Sequence, residues 1–270
     1  MVSARAALSR LREGNLRFAS NVRGSDAFLS HTRRADLATR QQPYAIILGC
    51  SDSRVPAELV FDQGLGDLFV IRVAGNIVAP SQVGSVEFAA ARFGTRLVMV
   101  LGHSQCGAVL ATLEELRRPT ETQSRNLRAI VDRVRPSVEG LLAANPGHDE
   151  NALVAQAVRA NIRASANHLR HGSELLERLI RDDGLLVVGA EYSLETGVVE
   201  VFDGALDVGY AGPVYNATTP PKAASSLTHF GEAAQLADLQ VDHVHPQIGP
   251  RSTCRWSHAA GARRDRPGSR

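Results

Sequence analysis

Four short apolar runs punctuate the chain: Tyr44-Ala45-Ile46-Ile47-Leu48, Leu68-Phe69-Val70-Ile71, Leu97-Val98-Met99-Val100-Leu101 and Leu185-Leu186-Val187-Val188-Gly189. None alternates with polar residues, which predicts strands covered on both faces by helices. Between them the period lengthens. Residues 2–19 set Ala6, Leu8, Leu11, Leu16 and Phe18 among Arg5, Arg10, Arg12, Glu13 and Arg17, the spacing of an amphipathic helix weakened at Gly14. That helix is expected to dock on another surface, a second protomer included. A short helix is expected over 33–40, ended by Pro43, and a helical turn over 55–61, opened by Pro56. A helix over 83–93 ends at Gly94, and another opens at Cys106. Residues 122–144 and 150–182 read as long charged helices broken near Pro136, Pro146-Gly147 and Gly172. A fifth strand over 197–202 follows the fourth after only a few turn residues, so the two form an antiparallel hairpin.

Strands alternating with helices predict an α/β fold: a mostly parallel central sheet flanked by helices, with an antiparallel edge strand at its end. After Asp203 the pattern stops. We expect residues 1–204 to form one folded domain and 205–270, with Pro220-Pro221 and scattered His and Gly, to be an irregular extension.

Composition removes some functions. A formal charge of +2 gives no reason to expect nucleic acid or an anionic membrane as partner, and the excess base falls largely at Arg251, Arg255, Arg263, Arg264, Arg266 and Arg270. No apolar run is long enough to span a bilayer, and the N-terminus lacks the apolar core of a signal peptide, so we read a soluble, cytoplasmic protein. Three cysteines, Cys50, Cys106 and Cys254, do not make a disulfide framework.

Two of them sit in paired motifs. Gly49-Cys50-Ser51-Asp52-Ser53-Arg54 follows the first strand, and Gly102-His103-Ser104-Gln105-Cys106-Gly107 follows the third. Ligands of open α/β sheets bind beyond the carboxyl ends of the strands, where chain order reverses. If strands one and three are neighbours and strand two lies beyond strand one, giving order 2-1-3-4 with strand 5 at the edge, both motifs meet there. Thiolate, imidazole and carboxylate all bind Zn²⁺; four of them close a tetrahedron, and three plus water leave it open. Taken singly, each residue has a plainer explanation. Cys50 or Cys106 could be a small core residue, His103 a satisfied buried histidine, Asp52 a helix cap and Arg54 a surface cation.

These two motifs, through Cys50-Ser51-Asp52-Ser53-Arg54-Val55-Pro56-Ala57-Glu58 in the first, resemble the signatures of the β-class carbonic anhydrases, and Arg72-Val73-Ala74-Gly75-Asn76 resembles the segment that links them. The likeness covers about residues 4–203. It implies one Zn²⁺ per chain held by Cys50, His103 and Cys106, with water or, in a closed state, Asp52 as fourth ligand. The implied reaction is reversible hydration of carbon dioxide to bicarbonate and a proton by zinc-bound hydroxide. Asp52 and Arg54 would gate the fourth position and orient the hydroxide. The resemblance also places Gln41, Phe69 and Gly107 in the substrate pocket, partly from a neighbouring subunit, and implies a homodimer or homotetramer wrapped by the N-terminal helix. Read on packing alone, these three are a surface amide, a core aromatic and a helix-start glycine. In some members Trp, Arg and Tyr hold an inhibitory bicarbonate; Arg72 and Tyr192 match two of these, but Ile47 stands in place of the Trp. Rival readings are a carbonyl sulfide or carbon disulfide hydrolase on the same scaffold and a non-catalytic structural zinc protein.

Overall fold

A computed structural model of the chain describes residues 2–22, 35, 37–119, 124–144 and 149–204. The extension expected at 205–270, Cys254 within it, and part of the helix expected over 33–40 lie outside these residues. In chain order the described elements are α1 (Ala4–Ala19), β1 (Ala45–Gly49), α2 (Ala57–Val60), β2 (Leu68–Arg72), a 3-10 turn (Ala74–Asn76), α3 (Pro80–Arg92), β3 (Leu97–His103), α4 (Gly107–Arg117), α5 (Arg125–Ala144), α6 (Glu150–His171), α7 (Glu174–Asp182), β4 (Leu186–Tyr192) and β5 (Val199–Asp203).

The five strands form one sheet in the order β2-β1-β3-β4-β5. The first four run parallel, and β5 returns antiparallel to β4. Alternate side chains of the apolar strands serve opposite faces. Ile46, Leu48, Val98, Val100 and Val187 pack under α3 to α7, against Ala89, Val109, Val134, Ile162 and Leu176. On the other face Ile47, Met99, Leu101, Val188 and Ala190 meet Ala7, Leu8 and Leu11 of α1 and Ala57 and Val60 of α2. The unbroken apolar runs thus have the cause inferred from them, with one heavily covered face and one face roofed chiefly by α1.

Ser3 starts α1 by accepting a hydrogen bond from the Ala6 N–H at 3.3 Å, and α1 seats its apolar stripe on this chain's own sheet, leaving Leu16 outward. Gly14 is the point of closest approach: a Cβ there would stand 1.8 Å from the Phe61 carbonyl oxygen. What reads in sequence as a weak helix position is therefore a packing requirement. Asn15 beside it donates to the carbonyls of Val60 and Gly197 and accepts from the Val199 N–H at 2.8 Å, tying α1 to the β4–β5 hairpin.

Other boundaries shift for identifiable reasons. Gly172 does separate α6 from α7, and Ser173 caps the latter through the Leu176 N–H. Pro136, expected to break its helix, sits inside a continuous α5 on an exposed turn, where water can take the Asp132 carbonyl that proline leaves without a donor. Strand β4 runs on to Tyr192, past the polar Glu191 that hides its end in the sequence; Arg159 pairs with that carboxylate at 2.7 Å. No described helix is long and apolar enough to cross a membrane.

Candidate metal centre

Strands β1 and β3 are hydrogen-bonded neighbours with Gly49 opposite Leu101, so their carboxyl ends lie side by side. Cys50 leaves β1, His103 ends β3, and Cys106 is the N-cap residue of α4. The two Sγ atoms are 4.0 Å apart, and the three potential ligand atoms lie within 4.8 Å of one another. All three residues are buried, His103 completely.

The imidazole is oriented by its own chain. Nδ1 is 2.8 Å from the Ser104 carbonyl oxygen, which only accepts, so Nδ1 carries a proton and Nε2 presents its lone pair. Nε2 is buried and has no hydrogen-bond partner. A buried polar atom with nothing to bind costs about 1–3 kcal/mol, and a soft or borderline metal among two sulfurs would satisfy it.

Between the thiols charge is divided unequally. The hydrogen bond from Cys106 pulls Cys50 down to about 4 against the opposing effect of burial, with His103 and the Gly75 N–H, 3.4 Å from Sγ, helping. Cys106 moves far upward, because its proton is shared with the Cys50 thiolate and because it is buried. Burial alone would lower His103, but the negative charge of the nearby Cys50 thiolate leaves the imidazole raised overall. The shared proton thus draws Cys50 toward the thiolate and Cys106 toward the thiol.

Asp52 stands at the rim. Arg54 grips it with Nε to Oδ1 at 2.9 Å and Nη2 to Oδ2 at 2.7 Å, and the Arg54 N–H adds a bond to Oδ1 at 3.0 Å. That guanidinium holds the carboxyl well below the usual carboxylate range. Oδ2 is also 3.8 Å from His103 Nε2.

Gly107 begins α4, and the space where its Cβ would be has no atom within 4 Å. Gln41 and Phe69 are not brought to the cluster within this chain. Exposed Gln41 precedes β1 at the end opposite Cys50, and Phe69 pairs with Ile46, roughly 13 Å of strand from Cys50. The Phe69 ring packs instead with Phe88 and Phe93, at 6.2 and 6.0 Å. Ile47 is fully buried in the apolar core, and Tyr192 is buried opposite His103 in register.

Two supporting residues were missed as such. Arg72, noted in the sequence for the linking segment and the inhibitory site, donates from Nε to the Cys50 carbonyl at 3.0 Å and from Nη2 to that of Asp52, so it clamps the loop that presents both side chains. Asn161, a polar residue in the buried stripe of α6, donates to the Gly75 carbonyl at 2.7 Å and braces the turn whose N–H reaches Cys50. A lone amide in an apolar helical stripe was the available signal.

A profile of the carbonic anhydrase family matches residues 45–199. Carbonic anhydrase 2 of Mycobacterium tuberculosis is 38% identical over 192 residues, spanning 71% of this chain and 89% of that protein. The carbonic anhydrase of Mycolicibacterium smegmatis is also 38% identical, over 76% of this chain and 96% of its own. Among solved structures, one of two tetrameric β-carbonic anhydrases from Sordaria macrospora superposes with a TM-score of 0.55 at 26% identity, covering 63% of this chain and 85% of that one. With the 2-1-3-4-5 sheet and the Cys-His-Cys cluster at its switch point, these likenesses establish that the chain belongs to the β-class carbonic anhydrases.

Proposed function

We propose that Cys50, His103 and Cys106 hold one Zn²⁺ and that the chain catalyses the reversible hydration of carbon dioxide to bicarbonate and a proton. One observation carries this reading: an unpartnered, fully buried His103 Nε2 facing two thiols, beside a carboxylate that Arg54 holds aside. When bound, Zn²⁺ supplies Lewis acidity, which brings the pKa of a water from 15.7 to about 7 in the best-known zinc hydratase.

The chain's own residues do the rest. Asp52, ionised through its pairing with Arg54, accepts a hydrogen bond from the attacking water and aims its lone pair at the carbon. Arg54 keeps Asp52 from becoming the fourth ligand, and Arg72 fixes the loop on which both turn. At Gly107 the N-terminus of α4 offers partial positive charge and an open approach to bicarbonate. A purely structural site would have no use for a residue that draws a carboxylate away.

Gln41 and Phe69 line the pocket of a second copy in this reading, since both lie at the far end of the sheet from this chain's own cluster. The Sordaria relatives described as tetrameric support a homodimer or homotetramer here. We place the enzyme in the cytoplasm and assign catalysis to residues 1–204, with 205–270 dispensable.

Stopped-flow carbon dioxide hydration with zinc analysis of the same sample tests the proposal. Fast hydration with one zinc per chain, both lost in Cys106→Ser and both kept on truncation after residue 204, is the expected result. Full zinc occupancy without hydration at neutral and alkaline pH would overturn it.

A further inference from the structure

Outside the metal ligands, a polar cluster near the centre lies where the β4–β5 turn meets the His103 loop. Ser104 takes part in four hydrogen bonds. Its N–H donates to the Tyr192 carbonyl at 3.0 Å, and its own carbonyl receives His103 Nδ1 at 2.8 Å. Its hydroxyl donates to Glu195 Oε2 at 2.9 Å and accepts from the Leu194 N–H at 3.0 Å. Glu195 is itself fixed: the same Oε2 accepts from Ser193 Oγ at 3.0 Å, and that oxygen receives the Thr196 N–H at 3.1 Å. The hairpin turn thus closes around one serine, and that serine's carbonyl sets the ring of the buried histidine.

We propose that Glu195 and Ser104 are positioning residues for His103: the carboxylate anchors the serine, the serine fixes the imidazole, and the ring is thereby preset to give Nε2 to the metal. The inference rests on the zinc reading above. Without the anchor, the Ser104 peptide can rotate, and His103 loses the acceptor that fixes both its tautomer and its plane. Partners of this kind, behind a metal ligand, are worth about 10–100-fold in metal affinity. Neither residue touches carbon dioxide or bicarbonate in this scheme, so their effect passes through the ligand. The carboxylate of Glu195 also lies in the field of Arg54. The anchor needs only an acceptor oxygen and not the charge, and this separates the two roles.

The test uses the full-length protein and five variants: Glu195→Ala, Glu195→Gln, Ser104→Ala, the double Ser104→Ala/Glu195→Ala and, as a control, His103→Ala. Each is loaded with Co²⁺ for its visible spectrum, and separately with Zn²⁺ for the rate of transfer to a chelator. Glu195→Ala and Ser104→Ala are expected to change the Co²⁺ bands and to speed zinc transfer by about tenfold or more. The double variant should lose less than the two single effects combined, because both substitutions remove the Ser104–Glu195 bond. Glu195→Gln should stay close to the parent, since its amide oxygen still accepts from both serines. Parent-like bands and transfer rate in a folded Glu195→Ala would overturn the proposal. So would a Glu195→Gln as impaired as Glu195→Ala, which would assign the effect to charge beside Arg54. If Glu195→Ala fails to fold, Ser104→Ala decides by the same readouts. His103→Ala guards the premise: retention of zinc with unchanged Co²⁺ bands there would sink the ligand assignment itself, whatever Glu195 does.

Discussion

One atom of Asp52 is contested. Its Oδ2 receives Arg54 Nη2 at 2.7 Å and lies 3.8 Å from His103 Nε2, so the carboxylate is held at the edge of the cluster by a cation on the solvent side.

Removing that cation should close the site. Arg54→Ala is expected to keep one zinc per chain and to lose hydration by about a hundredfold or more, the scale of a lost acid–base group. Stopped-flow rates beside zinc content check this; parent-like rates at full zinc would mean that the pair does not gate.

The same pair sets a sign for pH. Arg54 lowers the folded-state pKa of Asp52, so the stability this group contributes is present above its unfolded value, about 3.9, and is lost only as pH falls through the lower folded value. Loss of activity between pH 7 and 5 is therefore not protonation of Asp52 in the paired state. Carbon-13 carboxyl titration should show Asp52 flat through pH 4 in the parent, and removal of the guanidinium in zinc-free Arg54→Ala should move its titration upward.

Zinc binding should release protons. Cys106 is raised and holds its proton at neutral pH in the metal-free centre, whereas Cys50 is already a thiolate. About one proton per zinc is expected at pH 8, rising as pH falls because the raised His103 must also give one up. Calorimetry in buffers of different ionisation enthalpy measures it, and affinity should fall with pH in step.

Inhibition by bicarbonate is expected to be hyperbolic. Ile47 offers no donor and is wholly buried, and the Arg72 guanidinium is engaged by the Cys50 and Asp52 carbonyls. A sigmoidal dependence of initial rate on bicarbonate would count against this.

Two glycines in helices should respond oppositely to alanine. At Gly14 the added Cβ meets the Phe61 carbonyl, so Gly14→Ala should destabilise by about 1–3 kcal/mol or more. At Gly140 nothing lies within 4 Å, and Gly140→Ala should be neutral or stabilising by up to about 1 kcal/mol. Thermal unfolding of both variants reads the contrast.

Much of this arrangement was legible because it rests on local pattern. Apolar runs mark strands buried on both faces, and the chemistry of Cys50, Asp52, His103 and Cys106 at two strand ends demands the neighbourly order that the sheet has. What stayed hidden depends on partners distant in sequence. Gly14 answers to Phe61, Asn161 to Gly75, and Ser104 to Glu195, contacts that no spacing rule reports. Pro136 misled for the converse reason: its local penalty is real, but on an exposed turn solvent relieves it. Gln41 and Phe69 belong to the same lesson: both lie toward the end of the sheet away from this chain's cluster, and the pocket role proposed for them runs through a second copy.

The Asn15 anchor also has a bearing on how the chain reaches its fold. Its bond to Val199 spans 184 residues, nearly the whole described length, and such a contact forms only after a long loop is closed. During synthesis α1 emerges first, yet its polar tie becomes available only when the last strand has been made. Until then Ala7, Leu8 and Leu11 have no finished sheet to cover, and the nascent chain carries an exposed apolar stripe of the kind that holding chaperones bind.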